Sequence, residues 1–122
     1  TLRQGDVYAL PLADASVDGV ITRWVIPHFR DWAGIVREAA RVLRPGGTIA
    51  VLEHVRAEEG TWMRRAQRVL APVWPRVAGG CRCDQDTLAL FTKAGLDTTG
   101  LRSSTMAPVP PVAPGLVGTI RV

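Results

Sequence analysis

The chain has 122 residues, of which 47% are hydrophobic and 21% are charged, and its formal net charge at pH 7 is +4. This length allows one small domain with a core, and the apolar content excludes a disordered chain. The basic residues are scattered instead of clustered with aromatic residues, so no nucleic-acid binding is expected. The sequence has no apolar run of roughly eighteen residues and no leader pattern, so we expect no membrane span and no secretion signal.

The first half of the chain predicts a strand, a helix and a second strand. Gly19–Val25 is mostly apolar and rich in β-branched residues, which is typical of a buried strand. Apolar side chains then recur at helical spacing up to Leu43, with Asp31 as the candidate N-cap. Pro45–Gly47 is expected to stop this helix before a strand at Thr48–Glu53. Such a unit packs most readily as a right-handed crossover between parallel strands, which predicts the α/β class.

The second half predicts two more helices and two more strands. The helices are expected at Thr61–Val73 and Gln85–Ala94, separated by a break at Gly79-Gly80. Asp97–Ser104 and Gly115–Val122 are the strand candidates, joined across a proline-rich segment. We therefore expect a single sheet covered by helices.

Two histidines follow the predicted strand ends, where open parallel sheets bind ligands. His28 comes after the first strand and His54 after the second. A neutral imidazole there could take a proton from a thiol or hydroxyl, although a hydrogen-bonded loop histidine fits the pattern as well. Glu53 could orient His54 or a substrate, although neighbouring residues in a strand face opposite sides, which disfavours a direct pair with His54.

Two aspartates lie before or beside the first strand. Asp6 follows a glycine, where its carboxylate could accept hydrogen bonds either from a bound base or from loop amides. Asp18 lies at the amino end of the strand, away from the ligand edge, and is expected to anchor a turn.

The cysteines and tryptophans allow several interpretations. Cys81 and Cys83 flank Arg82, whose charge would favour a thiolate if the side chains converge. A nucleophile, a redox pair, a lone zinc ligand and an ordinary buried thiol all remain open, although no second Cys/His pair completes a metal site. The four tryptophans could line an apolar pocket or pack in the core; they are Trp24, Trp32, Trp62 and Trp74.

Two strings in the first half resemble class I S-adenosylmethionine-dependent methyltransferases. They are GDVYALPLADASVDGV at Gly5–Val20 and VREAARVLRPGGTIAVLEH at Val36–His54. The resemblance implies a Rossmann-like fold and S-adenosylmethionine as the cofactor. It places Asp6 against the adenine ring and makes Arg23 and Trp24 candidates for the cofactor edge.

Short strings further along resemble the methyltransferase-like thiol S-methyltransferases. They are EHV at Glu53–Val55, a tryptophan at Trp62, PVW at Pro72–Trp74 and GGC at Gly79–Cys81. This resemblance implies methyl transfer to a small thiol. We take His54 as the catalytic candidate on the acceptor side, with His28 in reserve. Related families with the same middle segment methylate carbons of quinone precursors or hydroxyls, and these acceptors stay open.

The sequence departs from the family pattern in lacking the acidic-Gly-x-Gly-x-Gly loop that holds the cofactor. Residues 1–122 are therefore expected to form a single incomplete methyltransferase domain, a partial Rossmann-like fold in which an exposed sheet edge favours self-association and the isolated chain is inactive. A cytoplasmic location is expected. The rival hypotheses are a non-catalytic remnant that binds another protein and a nicotinamide-linked oxidoreductase, although the dinucleotide loop of the latter is also absent.

Overall fold

A computed structural model describes residues 2–107 and 109–122. These residues form four strands, four α-helices and one 3-10 turn. In chain order they are β1 (Val17–Arg23), the 3-10 turn (Ile26–His28), α1 (Trp32–Val42), β2 (Leu43–His54), α2 (Trp62–Leu70), α3 (Trp74–Val77), α4 (Thr87–Lys93), β3 (Leu101–Thr105) and β4 (Pro114–Arg121).

The strands form one open sheet in the order β1-β2-β4-β3. Strands β1 and β2 are parallel, with Gly19 opposite Thr48 and Arg23 opposite Leu52, and α1 connects them. Strand β4 is antiparallel to both of its neighbours, β2 and β3. The α/β class and the parallel pair predicted from the first half are confirmed. Strands β1 and β3 form the two edges.

The junction between α1 and β2 differs from the prediction. Asp31 caps α1 as expected, accepting a hydrogen bond of 2.9 Å from the Gly34 amide. The helix, however, ends at Val42, and β2 begins directly at Leu43 and not at Thr48. Pro45–Gly47 thus lies inside strand β2. Backbone hydrogen bonds between this segment and Val122 hold it against the end of β4. The register of β1 against β2 is irregular there, which accommodates the extra residues.

The second-half helices are shorter than predicted, and capping side chains set their starts. Thr61 is the N-cap of α2 and accepts from the Arg64 amide at 3.2 Å, while a separate short helix begins at Trp74. Asp86 caps α4 and accepts from the Ala89 amide at 3.0 Å, so Gln85 lies outside the helix.

The predicted third strand starts later than expected. Asp97 forms a turn in which its carboxylate accepts from the backbone and the hydroxyl of Thr99, at 3.0 and 2.6 Å. Strand β3 therefore begins at Leu101.

The core lies between the sheet and the helices. Its buried side chains come from α1, β2, α4 and β4 and include Ile35, Ile49, Val51, Phe91 and Leu116. The Trp32 ring packs against Phe91 with 6.0 Å between ring centres, whereas Trp62 is 66% exposed. In residues 2–107 and 109–122 we find no helix with the length and apolar content to cross a membrane.

Candidate functional site

The carboxyl ends of β1 and β2 bring three predicted residues together. The Trp24 amide donates to Leu52 O at 3.0 Å, which extends the ladder by one residue beyond β1. Trp24 then takes a positive φ of 57°, so its ring turns over the end of β2. The ring stacks on His54 with centres 5.4 Å apart and planes at 9°, and the Arg23 guanidinium carbon lies 4.3 Å from its centre.

A cleft of about 230 Å³ opens beside this stack. Its wall is largely aromatic and apolar and also contains one thiol. The lining residues are Trp24, His28, His54, Trp74, Ala78, Cys81 and Val112. The structure thus brings both predicted histidines, two of the tryptophans and one cysteine to a single cleft.

His54 is held in a neutral form that suits a proton acceptor. Burial is the largest influence and lowers the pKa of His54, the charge of His28 lowers it further, and the Val112 backbone opposes the shift. The Nδ1 atom of His54 is buried and has no hydrogen-bond partner among the described residues. A neutral imidazole in the lining of a cleft can accept a proton from a bound acceptor.

His28 lies at the mouth of the cleft and is exposed. Its Nδ1 lies 3.0 Å from the carbonyl oxygen of Gly79. Because that oxygen can only accept, Nδ1 carries the hydrogen and donates it. His28 therefore ties the 3-10 turn after β1 to the Gly79-Gly80 break.

The two cysteines differ in position, and both are reduced and buried. Burial raises the pKa of Cys81, and the charge of Glu53 raises it further. Burial likewise raises the pKa of Cys83 to about 11. The expectation that Arg82 would favour a thiolate is wrong, because the Arg82 guanidinium donates instead to Phe29 O at 2.6 Å. A protonated Cys81 thus contributes a polarizable wall to the cleft, while Cys83 is not one of its lining residues.

Asp6 lies apart from the cleft. Its carboxylate is exposed and accepts from the Tyr8 amide at 2.9 Å, so it orders its own loop. The chain that follows is fixed to α1, where Arg41 donates to the carbonyls of Leu10 and Leu12 at 3.1 and 3.0 Å. The adenine contact of Asp6 stays a prediction.

Asp18 lies at the far end of β1, where it pairs with Arg44 at 2.6 Å. This position agrees with the structural role expected for it. Among the residues described, no group of His, Cys, Asp or Glu side chains is arranged to hold a metal ion.

Sequence reasoning named Glu53 as a residue that could orient His54 or a substrate, but it did not predict the burial or the backbone partner of this side chain. This residue is fully buried, and its Oε2 accepts from the Val25 amide at 2.9 Å, while Oε1 has no partner among the described residues. Burial raises the pKa of Glu53 to about 7, against the opposing effects of the Thr22 hydroxyl and the amides of Ile26, Val25 and Trp24. The signal in the sequence was a lone carboxylate at the end of an otherwise apolar strand.

Sequence reasoning also missed Gln67, which holds the chain behind the cleft. This fully buried side chain accepts from the Ala57 amide at 2.8 Å. Its Nε2 lies 3.1 Å from Val55 O, 2.7 Å from Cys83 O and 3.0 Å from Pro111 O. One amide thus ties α2 to three other segments. Sequence reasoning did not identify Gln67 because it lies among the charged residues of helix α2.

Comparison with known proteins gives consistent matches. A family profile described as a methyltransferase domain matches residues 1–51. The human thiol S-methyltransferase TMT1A is 36% identical over 91 residues, which cover 75% of this chain and 37% of that protein. A demethylmenaquinone methyltransferase from Desulfitobacterium hafniense is 36% identical over 115 residues, covering 80% of this chain and 46% of that protein. The chain therefore spans less than half the length of these two relatives.

A solved structure has the same fold. It is a SAM-dependent methyltransferase from Methanosarcina mazei, which matches 96% of this chain and 64% of its own with a TM-score of 0.69 at 13% identity. A likeness at this identity concerns the fold alone. It confirms the Rossmann-like sheet expected from the sequence.

Proposed function

Because this chain belongs to the class I methyltransferases, we propose that its cleft takes part in methyl transfer from S-adenosylmethionine to a small acceptor. The observation that carries the proposal is the stack of Trp24 on a neutral His54 at the carboxyl ends of two parallel strands. This is the edge at which open α/β sheets bind ligands.

The residues present fit one side of the cofactor. The exposed carboxylate of Asp6 can accept hydrogen bonds from the adenine amino group, and the Trp24 ring, 43% exposed, offers an aromatic surface. Arg23 borders the same surface. S-adenosylmethionine supplies an electrophilic methyl group on a sulfonium when it is bound. We propose that residues 1–122 form part of a methyltransferase domain and that a glycine-rich loop outside this sequence completes the cofactor site.

A small thiol is the acceptor that we propose. The lining of the cleft is mainly aromatic and apolar, which favours a compact, weakly polar molecule over a sugar or a nucleotide. His54 would remove the acceptor proton, and the thiolate that results would be the nucleophile; His28 is the reserve base. A hydroxyl or an activated carbon is the alternative acceptor, and the similarity to a demethylmenaquinone methyltransferase supports that alternative.

The cofactor test compares two proteins by calorimetric titration with S-adenosylhomocysteine. One is this chain, and the other is a chimera in which the upstream segment of human TMT1A precedes residue 1. We expect binding by the chimera and weak or no binding by the chain alone. Binding by neither protein would refute methyl transfer as the activity of this sequence.

The acceptor test uses the chimera with labelled cofactor and either an alkyl thiol or a demethylated quinone as substrate. We expect methylation of the thiol, and a large loss of turnover in His54→Ala with a smaller loss in the matched variant His28→Ala. Turnover that is unchanged in His54→Ala across the pH range would remove His54 from the mechanism. Methylation of the quinone alone would refute the thiol.

A second candidate function is a protein-interaction module derived from a methyltransferase. It is favoured by strand β1, which pairs with β2 on one side and has no strand on its other side among the described residues. Ile21 on this strand is 75% exposed. An unpaired edge with an apolar side chain can pair with another chain, including a second copy. Light scattering that shows a monomer at all concentrations would refute self-association through this edge.

A further inference from the structure

Glu53 is placed where a buried acceptor can set the shape of the cleft. It lies opposite Leu116 of β4, one residue before the end of β2, and no part of it is exposed. A carboxyl group in such a position is costly unless the surrounding backbone stabilises it. The Val25 amide does so by donating to Oε2 at 2.9 Å, and it is one of the backbone groups that hold the pKa of Glu53 below the value that burial alone would give.

The backbone that surrounds this carboxyl has the geometry of an anion-binding nest. Trp24 has a φ of 57°, in the left-handed region, and Val25 follows with φ −102° and ψ −54°, in the right-handed helical region. Consecutive residues of opposite hand turn their N–H groups toward one point. In this chain the Val25 N–H donates to Oε2 of Glu53, while the Trp24 N–H bonds to Leu52 O.

The nest also determines where the Trp24 ring lies. A left-handed conformation is unfavourable for a bulky side chain, so it requires a compensating contact. The bond from Val25 to Glu53 supplies one and fixes the residue that follows Trp24. The tryptophan ring consequently stacks on His54, which is adjacent to Glu53 on β2.

We propose that Glu53 is a positioning residue whose buried side chain, by accepting the Val25 amide, holds Trp24 stacked on His54 and so orients the base of the cleft. This role rests on the proposed function, because it concerns the two residues assigned to the reacting edge. Glu53 itself does not line the cleft and is not assigned a contact with the acceptor.

The test measures the stack directly in this chain, without a ligand. With only two histidines in the sequence, the imidazole Cε1–H proton resonances of His28 and His54 can be assigned by a His28→Gln variant. The face of the Trp24 indole shields the stacked ring, so the His54 resonance should lie upfield of a free histidine. Spectra of all variants are recorded at one pH of about 8, above the ordinary pKa of a histidine side chain. Trp24→Leu defines the unstacked position.

Two substitutions at Glu53 distinguish the loss of its hydrogen-bond acceptor from a change in the packing of its side chain. Glu53→Met keeps the length of the side chain but cannot accept the Val25 amide, and we expect His54 to move to the Trp24→Leu position. Glu53→Gln retains an acceptor oxygen, and we expect the wild-type position. The His28 resonance should not move in either variant.

Two outcomes would overturn the proposal. One is a His54 resonance at the wild-type position in a folded Glu53→Met, and the other is a Trp24→Leu-like position in Glu53→Gln. If Glu53→Met does not fold, the Glu53→Gln result alone decides. Because no cofactor is present, a failure here is distinct from a failure of cofactor binding in the calorimetric test.

Discussion

Replacing Gln67 by leucine tests whether one buried amide holds the wall of the cleft. The substitution keeps the approximate volume of the side chain but removes its donor and acceptor. The Ala57 amide loses its partner at 2.8 Å. Of the three carbonyls close to Nε2, two lose a donor at any one time, because a side-chain amide has two hydrogens.

The expected cost follows from these lost partners. A buried backbone group without a partner costs about 1–3 kcal/mol, and three groups are affected. The additional apolar burial of a leucine offsets about 1.5–3 kcal/mol of this total. We therefore expect the free energy of unfolding to fall by about 3 kcal/mol, which is large relative to the stability of a small domain.

The assay is urea unfolding of the chain followed by far-ultraviolet circular dichroism. Gln85→Leu is the matched control, since Gln85 undergoes the same chemical change but is half-buried and makes only a 3.5 Å contact with Ile26 O. We expect the control to lose less than about 1 kcal/mol. Equal losses in the two variants, with equal denaturant dependence, would refute the reasoning.

Three further predictions concern stability. Burial raises the pKa of Glu53 from its ordinary 4.5 to about 7, so as pH rises the unfolded chain loses this proton at a lower pH than the folded chain does. The free energy of unfolding should therefore fall by at most about 3 kcal/mol as pH rises from about 5 to about 7. Urea titrations of Glu53→Gln should show a weaker dependence on pH. Asp31→Ala removes the cap of α1 and should lower the free energy of unfolding by about 1 kcal/mol, a loss that Asp31→Ser should largely restore. Gly100→Ala would place a Cβ 2.3 Å from the Thr119 carbonyl oxygen, whereas at Gly19 the nearest atom is 3.7 Å away; we expect a fall in melting temperature for Gly100→Ala and little change for Gly19→Ala.

The sequence predicted the elements better than their boundaries. Apolar periodicity located the four strands and the helices α1, α2 and α4, because each of these elements buries part of its surface. It did not predict the short helix α3, which has no buried residue. Boundaries depended on local hydrogen bonds that hydropathy does not register. Thr61, Asp86 and Asp97 each accept a backbone amide, and these bonds set the starts of α2, α4 and β3.

The candidate site was predicted in part. The rule that ligands bind at the carboxyl edge selected His28 and His54, and the structure places both in one cleft. The Trp24–His54 stack depends on a positive φ at a tryptophan, for which the sequence carries no glycine as a signal. Gln67 and the backbone partner of Glu53 were not predicted, because the groups that these side chains bind are backbone groups distant in sequence and no spacing rule connects them.

The strand order has a consequence for the way the chain acquires its structure during synthesis. Strand β4 is made last of the four strands, yet it lies between β2 and β3. Until it emerges from the ribosome, β3 has no neighbour in the sheet, and Leu116 and Ile120 are not yet present to cover the other core residues. From the synthesis of β2 until that of β4, the edge of β2 that β4 later pairs with is therefore open, and an open apolar strand can associate with other chains.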